Sequence, residues 1–261
     1  MPDTEITRAQ TRERARLLFI RSYDVDLDFT RGPDTFGSVS LIRFDCREPG
    51  AATHADLIAA GVREITLNGV PLDPASAWAN GRITLPGLAA RNELRVAAEC
   101  AYSRSGTGVH REDSADGSVH IYAKLAQAYA RTAYACFDQP DLKAVFTFQV
   151  TAPAHWTVLS NQPQDDAERT RGNSRTRRFL PTPRLPTFTT TVVAGDYHVV
   201  AARLAQLLFP YPAVTPEFLT QIDGFLAAGG TDPGLARIVR DHRDTAERAL
   251  RARTLPSQHR A

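Results

Sequence analysis

Short segments in which apolar and polar residues alternate recur through the first 200 residues, and this pattern restricts the chain to a β-rich fold. The clearest segment alternates aspartates with apolar residues: Tyr23, Asp24, Val25, Asp26, Leu27, Asp28 and Phe29. A period of two predicts a strand with one buried and one solvated face. Further strands are predicted at 37–47, 62–67, 70–72, 82–85, 92–100, 119–122, 144–150, 156–160, 177–180 and 188–193.

Capping and turn signals separate these strands. Thr7 and Gln10 fit a capping box that begins a short helix, and Asn68-Gly69 predicts a tight hairpin. The polar stretch 164–175 predicts an exposed hairpin loop. Many short strands at regular spacing indicate a largely antiparallel sandwich or an open, saddle-like antiparallel sheet.

The pattern changes near residue 200, which divides the chain into a β domain at 1–200 and a helical segment at 201–261. Thr215-Pro216 and Asp232-Pro233 are each typical of a helix start, and an apolar stripe follows both of them. The predicted fold class is therefore mainly β, followed by a short α-helical hairpin. We expect the two tryptophans, Trp78 and Trp156, to be largely buried in the β domain.

Composition excludes several classes of partner. The chain has 31 basic and 29 acidic residues among 261, and a net charge of +2 does not favour nucleic acid or an anionic membrane. No apolar run approaches the ~20 residues that span a bilayer, and residues 1–14 lack the apolar core of a signal peptide. Three widely spaced cysteines, Cys46, Cys100 and Cys136, do not suggest a disulfide framework. We therefore expect a soluble, cytoplasmic protein.

The seven histidines form no recognisable metal motif. None is followed by Glu, so HExxH is absent, and no two stand four apart on a predicted helix. His110 and His120 could meet across a hairpin, but no third ligand is suggested, so we interpret the histidines as structural or surface residues. Gly106 and Gly108 predict a turn, and the arginine-rich stretch 169–178 predicts a solvated hairpin.

One central segment resembles a known family. Residues 130–146, ARTAYACFDQPDLKAVF, closely resemble the ARR-x-F-x-CFDQPDLKA-x-F segment of M1-family zinc aminopeptidases, especially the aminopeptidase N enzymes of actinobacteria. The resemblance continues in order through 22–25 (SYDV), 103–111 (SRSGTGVHR), 151–158 (TAPAHWTV) and 194–200 (AGDYHVV). In that family, this region forms an N-terminal saddle-like β domain, which agrees with the strand pattern.

The resemblance also implies that the catalytic domain is missing. Residues 233–253 resemble the extreme C-terminus of the same enzymes, so the chain looks like an internally deleted aminopeptidase whose two ends have been joined. Family members carry HExxH and a distal glutamate as zinc ligands, together with a GAMEN motif. HExxH is absent here, and GAMEN is excluded because Met1 is the only methionine. The resemblance therefore implies no metal site, no catalytic residue and no zinc cofactor.

Two substrate-binding positions fall in the β domain. Family members carry a YTQFE segment whose Gln and Glu line the S1 site, and the Glu holds the α-amine of the substrate. Counting back from Phe137 aligns this segment with residues 122–126, so that Lys124 stands at the Gln and Ala126 at the Glu. A lysine cation would oppose the binding of an ammonium group. Both positions are therefore substituted and are predicted to be non-functional.

We expect an M1 aminopeptidase-like protein that has no peptidase activity of its own. Three interpretations stay open at this point. The chain is the product of a decayed gene that still folds, or a non-catalytic module that binds peptides or another protein chain through its C-terminal helices. In the third interpretation, it aids peptide hydrolysis while a separate chain supplies the zinc domain.

Overall fold

A computed structural model describes residues 7–126 and 128–197. The helical hairpin predicted at 201–261 lies outside the described residues. The helices are α1 (Arg8–Leu17) and α2 (Pro74–Ala77), and 3₁₀ turns lie at Ala130–Thr132 and Thr187–Thr189. The strands are β1 (Leu18–Asp28), β2 (Thr35–Cys46), β3 (Thr53–Asp56), β4 (Gly61–Leu67), β5 (Val70–Leu72), β6 (Trp78–Ala79), β7 (Arg82–Leu85), β8 (Arg91–Ala101), β9 (Gly108–Asp113), β10 (Val119–Lys124), β11 (Val145–Pro153), β12 (Thr157–Ser160), β13 (Gln164–Arg171), β14 (Ser174–Phe179) and β15 (Val192–Gly195).

The described strands form three sheets. The largest has eight strands in the order β13-β14-β11-β1-β2-β8-β4-β5, and the others have the orders β12-β15-β10-β9 and β3-β7-β6. Antiparallel pairing dominates, as predicted, and β4 and β5 form the hairpin predicted from Asn68-Gly69. The exception is the parallel pair of β1 and β11, in which Tyr23 lies opposite Phe146. A parallel pair requires a long crossover connection, which local alternation does not reveal.

The alternation in β1 has the predicted effect on burial. Tyr23, Val25 and Leu27 are buried, whereas the aspartates between them lie on the other face of the sheet. The Tyr23 and Phe146 rings stack with their centroids 4.6 Å apart across the parallel pair. Buried residues from all three sheets belong to one continuous core, so the eight-stranded sheet packs its apolar face against the two smaller sheets.

Helix α1 begins at the predicted capping box. The Thr7 hydroxyl accepts a hydrogen bond from the Gln10 backbone N–H, and the Gln10 side-chain oxygen accepts one from the Thr7 N–H. These reciprocal bonds satisfy two backbone donors that a helix N-terminus otherwise leaves unpaired. Arg14 and Leu17 are the buried residues of this helix.

Some local predictions are wrong. The polar stretch 164–175 is not an exposed loop, because β13 and β14 pair with each other there and β14 pairs with β11. A strand at a sheet edge can be rich in polar residues, because its outer side is open to water while its inner side bonds the neighbouring strand. The predicted strand at 188–193 is replaced by the 3₁₀ turn Thr187–Thr189 and by β15. Trp156 is buried as expected, but Trp78 is only half-buried.

The three cysteines are free and buried, in agreement with the absence of a disulfide framework in the sequence analysis. Within the two described ranges, no helix combines the length and the apolar character needed to cross a membrane.

Gly195 lets β15 lie close to β10, which leads to a stability prediction. Its φ is +145°, and an added Cβ would lie 2.1 Å from the Val119 carbonyl oxygen. We expect Gly195→Ala to destabilise the protein by about 3 kcal/mol or more, because the backbone of β10 would have to move. The matched control is Gly61→Ala, whose Cβ would meet nothing within 4 Å and should change stability by less than about 0.5 kcal/mol. Equal denaturation midpoints for the two variants would contradict this account.

Candidate functional site

Lys124 and Ala126, the two positions predicted from the family resemblance, lie at the open end of a hairpin. Strands β9 and β10 pair antiparallel, with Lys124 opposite Gly108 at the end of the ladder. Lys124 and Ala126 are both exposed, so the lysine presents its charge to solvent. The structure therefore places both residues on the surface beside the loop that precedes β9.

The hairpin end packs closely on the segment that follows it. Gly108 has a φ of +69°, and a Cβ there would lie 2.7 Å from the Thr132 hydroxyl oxygen. Behind Ala123 and Leu125, an enclosed apolar cavity of about 10 Å³ separates the hairpin from the eight-stranded sheet. This cavity is about the size that a single water needs, so a ligand at this hairpin end would bind on the surface.

The same hairpin places His110 and His120 on one face, as the sequence suggested, but not opposite each other. His110 lies opposite Tyr122 and His120 lies opposite Glu112, so the two histidines are diagonal neighbours. The Nδ1 atom of His110 accepts a hydrogen bond from the Gly106 backbone N–H, which occupies one possible metal-binding atom. In the described part of the chain, no group of three His, Cys, Asp or Glu residues could hold a metal ion.

Below this surface lies a buried ion pair that the sequence analysis missed. Arg14 on α1 donates from Nη1 to Asp56 Oδ2 on β3 at 2.8 Å, and both side chains are at most 2% exposed. Arg14 Nε also donates to the Gln139 side-chain oxygen at 3.1 Å. The backbone N–H of Asp138 donates to the same Asp56 oxygen at 2.9 Å. Helix α1, strand β3 and residues 138–139 therefore meet at one carboxylate.

A second buried carboxylate extends this cluster towards the hairpin. Asp138 accepts hydrogen bonds from the Arg131 backbone N–H at 3.2 Å and from the Thr187 hydroxyl at 2.7 Å. Burial raises the pKa of Asp138, and these hydrogen bonds oppose that shift. Arg131 belongs to the 3₁₀ turn Ala130–Thr132, which contacts Gly108 at the end of the β9–β10 hairpin. The buried cluster therefore holds in place the turn against which this hairpin packs.

The remaining contacts of residues 130–146 are also structural. The Phe137 backbone N–H donates to the Tyr23 hydroxyl at 3.1 Å, and the Tyr134 hydroxyl lies 2.7 Å from the Thr190 hydroxyl. Cys136 pairs with Asp56 through two backbone hydrogen bonds. The segment that carries the family resemblance therefore ties the sheets together and contributes to the core.

Three large apolar side chains are exposed around the outer side of this cluster. Ile58, Tyr129 and Phe188 are 38%, 37% and 39% exposed. Their backbones converge on the cluster: the Ile58 N–H donates to the Arg131 carbonyl, Tyr129 precedes the 3₁₀ turn, and Phe188 follows Thr187. The segments that form the buried cluster therefore also present apolar side chains to solvent.

No local signal in the sequence identifies the residues of the buried ion pair. Arg14 lies in a polar segment, and Asp56 ends a strand that the alternation does not predict. Each residue is typical of an exposed charge, since unpaired arginine and aspartate are rarely buried. Only the tertiary contact between α1 and β3 brings them together.

Comparison with known proteins agrees with this architecture. The Peptidase M1 N-terminal domain family matches residues 21–189, which is more than half of the chain. The chain therefore belongs to the M1 peptidase family, and the matched region is the N-terminal domain of that family.

Individual relatives share only part of their length with this chain. It is 44% identical over 204 residues to Aminopeptidase N of Streptomyces lividans, covering 77% of this chain and 23% of that protein. It is 33% identical over 90 residues to Probable aminopeptidase 1 of Sulfurisphaera tokodaii, covering 33% and 11%. Human Aminopeptidase Q is 26% identical over 156 residues, covering 54% and 16%. The chain thus spans about a quarter or less of the length of these relatives.

Removing one partner of the buried ion pair should be costly. Arg14→Met keeps an apolar stem but leaves the Asp56 carboxylate without its cation, and we expect a loss of about 3–5 kcal/mol. Arg16→Met is the matched control, because Arg16 pairs with Glu13 and Glu48 on the surface of the same helix. The control should unfold close to the wild-type denaturant midpoint. Similar midpoints for both variants would show that the buried pair does not hold α1.

The same cluster predicts a dependence of stability on pH. Burial lowers the pKa of His54 from 6.5, Asp56 opposes this shift, and Arg14 and Arg82 add to it. The folded state therefore favours the neutral His54 imidazole over the protonated one. The stabilisation that this preference provides is fully present above the pKa that His54 has in the unfolded chain. It is lost as the pH falls through the pKa of His54 in the folded protein. We expect the free energy of unfolding to fall further between about pH 7 and pH 5 in the wild type than in His54→Gln. Denaturant titrations at both pH values measure this, and equal falls would contradict it.

Proposed function

We propose that this chain provides an M1-type N-terminal β domain that does not hydrolyse peptides by itself. The observation that supports the proposal is the exposure of Lys124 and Ala126 at the end of β10, because the family resemblance aligns these residues with the S1 glutamine and glutamate. The alanine supplies no carboxylate for the α-ammonium group of a peptide, and the lysine repels that group. An amino-terminal residue therefore has no anchor at this surface.

The zinc chemistry of the family is also unsupported by this chain. A catalytic zinc normally takes three protein ligands and one water, and HExxH supplies two of the ligands. The 261 residues contain no HExxH, and they contain no GAMEN because Met1 is the only methionine. We infer that the region between the β domain and the C-terminal segment, residues 201–261, has been deleted relative to the family. Zinc should bind only weakly, through histidines such as His110 and His120.

A second candidate function is the binding of another protein chain. It is favoured by the exposed apolar side chains Ile58, Tyr129 and Phe188, which belong to the segments around the buried cluster. An apolar surface of this kind contributes to association when a partner covers it. In this interpretation, the chain is a non-catalytic module that binds peptides or a protein, or it aids hydrolysis by a separate zinc domain.

A cytoplasmic location is part of the proposal. Three free, buried cysteines are compatible with a reducing compartment.

Metal content and hydrolysis test the principal proposal. We expect the purified full chain, dialysed after exposure to zinc, to retain much less than one zinc per chain. Hydrolysis of aminoacyl-arylamides with added zinc should not exceed that of a zinc-free control, because the ligands that activate water are missing. One tightly held zinc per chain, or clear hydrolysis, would overturn the proposal.

Complementation separates the two candidates. A separately produced zinc domain of the Streptomyces lividans relative is assayed with and without this chain. If the chain only folds and binds nothing, its addition should leave the rate unchanged. If it aids hydrolysis, the rate should rise, and Lys124→Gln with Ala126→Glu should raise it further by restoring the family's S1 residues. The variant Ile58→Ser with Tyr129→Ser should reduce that gain by weakening the contact.

A further inference from the structure

The buried cluster around Arg14 and Asp56 contains three polar atoms that no described residue satisfies. They are Arg14 Nη2, His54 Nε2 and Asp56 Oδ1. The other polar atoms of the ion pair are used: Arg14 Nε donates to Gln139, Arg14 Nη1 donates to Asp56 Oδ2, and the same oxygen accepts from the Asp138 N–H. Because each unsatisfied buried group costs free energy, three in one cluster point to a missing common partner.

The three atoms lie on neighbouring groups. Arg14 Nη2 and Asp56 Oδ1 belong to the guanidinium and the carboxylate that are already joined at 2.8 Å. His54 Nε2 lies 3.7 Å from Asp56 Oδ1, which is too long for a direct hydrogen bond. A single atom about 2.8 Å from both could bridge this separation.

The charges around the three unsatisfied atoms determine which kind of molecule could bind between them. Arg14 and Asp56 neutralise each other, and Arg82 on β7 lies opposite Asp56 in the ladder and near His54. A cation would face two arginines, and an anion would face the Asp56 carboxylate, so neither ion is favoured. The free groups include one obligate donor, Arg14 Nη2, and one obligate acceptor, Asp56 Oδ1. A small neutral molecule that both accepts and donates hydrogen bonds matches this set.

We propose that one internal water molecule binds between Arg14, His54 and Asp56. It accepts a hydrogen bond from Arg14 Nη2, donates one to Asp56 Oδ1 and makes its third to His54 Nε2. Three hydrogen bonds are the usual number for a buried water. The His54 imidazole thereby joins the contacts that hold α1 on β3, to which the His54 backbone carbonyl already contributes by accepting a hydrogen bond from Arg14 Nη1 at 3.4 Å.

Crystallography and water relaxation test this proposal on the full chain. A high-resolution crystal structure should show one density peak within about 3.2 Å of all three atoms. Oxygen-17 relaxation dispersion should count one fewer long-lived internal water in His54→Leu than in the wild type. The absence of the peak, or a His54 ring that bonds Asp56 Oδ1 directly, would overturn the proposal.

Stability provides an independent readout with a matched control. His54→Leu removes one of the three partners of the water and should release it, and we expect the Tm of this variant to fall by about 5 °C. His155→Leu is the control, because His155 is 63% exposed and pairs only with Asp196 at the surface. The control should keep the wild-type water count and a Tm within about 1–2 °C of the wild type. An unchanged water count in His54→Leu would overturn the proposal, whatever the change in Tm.

Discussion

The buried ion pair between Arg14 and Asp56 is the contact on which the arrangement of the surrounding segments depends. Moving two charges out of water costs several kcal/mol per ion, and their attraction offsets this only when the remaining polar atoms are also paired. Gln139 and the Asp138 backbone provide part of that pairing, at Arg14 Nε and Asp56 Oδ2. The pair therefore contributes little net free energy of folding. Its main effect is to fix how α1, β3 and residues 138–139 are placed relative to one another, because the two charges are paired only in that arrangement.

The position of this pair explains why residues 130–146 resemble the family so closely. These residues fill the space between the sheets and supply the backbone hydrogen bonds of the cluster, so packing restricts them strongly. The similarity of these residues to the family segment indicates that the fold is retained. It carries no information about hydrolysis, because Phe137, Asp138 and Gln139 are all buried in structural contacts.

Information about function lies instead at the exposed end of the β9–β10 hairpin. There, Lys124 and Ala126 are exposed at the end of β10, at the positions that the family resemblance aligns with the S1 residues. Membership of the M1 family is established by the matched N-terminal domain. Function depends on the site, and a retained scaffold can outlast the activity that it once supported.

Local patterns in the sequence determined much of the secondary structure. Alternation with a period of two, a capping box and an Asn-Gly turn each depend on only a few neighbouring residues. They predicted β1, α1 and the β4–β5 hairpin, and the family segment located the candidate positions Lys124 and Ala126. They did not predict the parallel pairing of β1 with β11, because its two strands are separated by more than a hundred residues. Nor did they predict the burial of Arg14 and Asp56, because a charged residue becomes stable in a core only when a distant partner reaches it. Only the tertiary structure decided those contacts, since their free energy depends on two segments meeting and not on either segment alone.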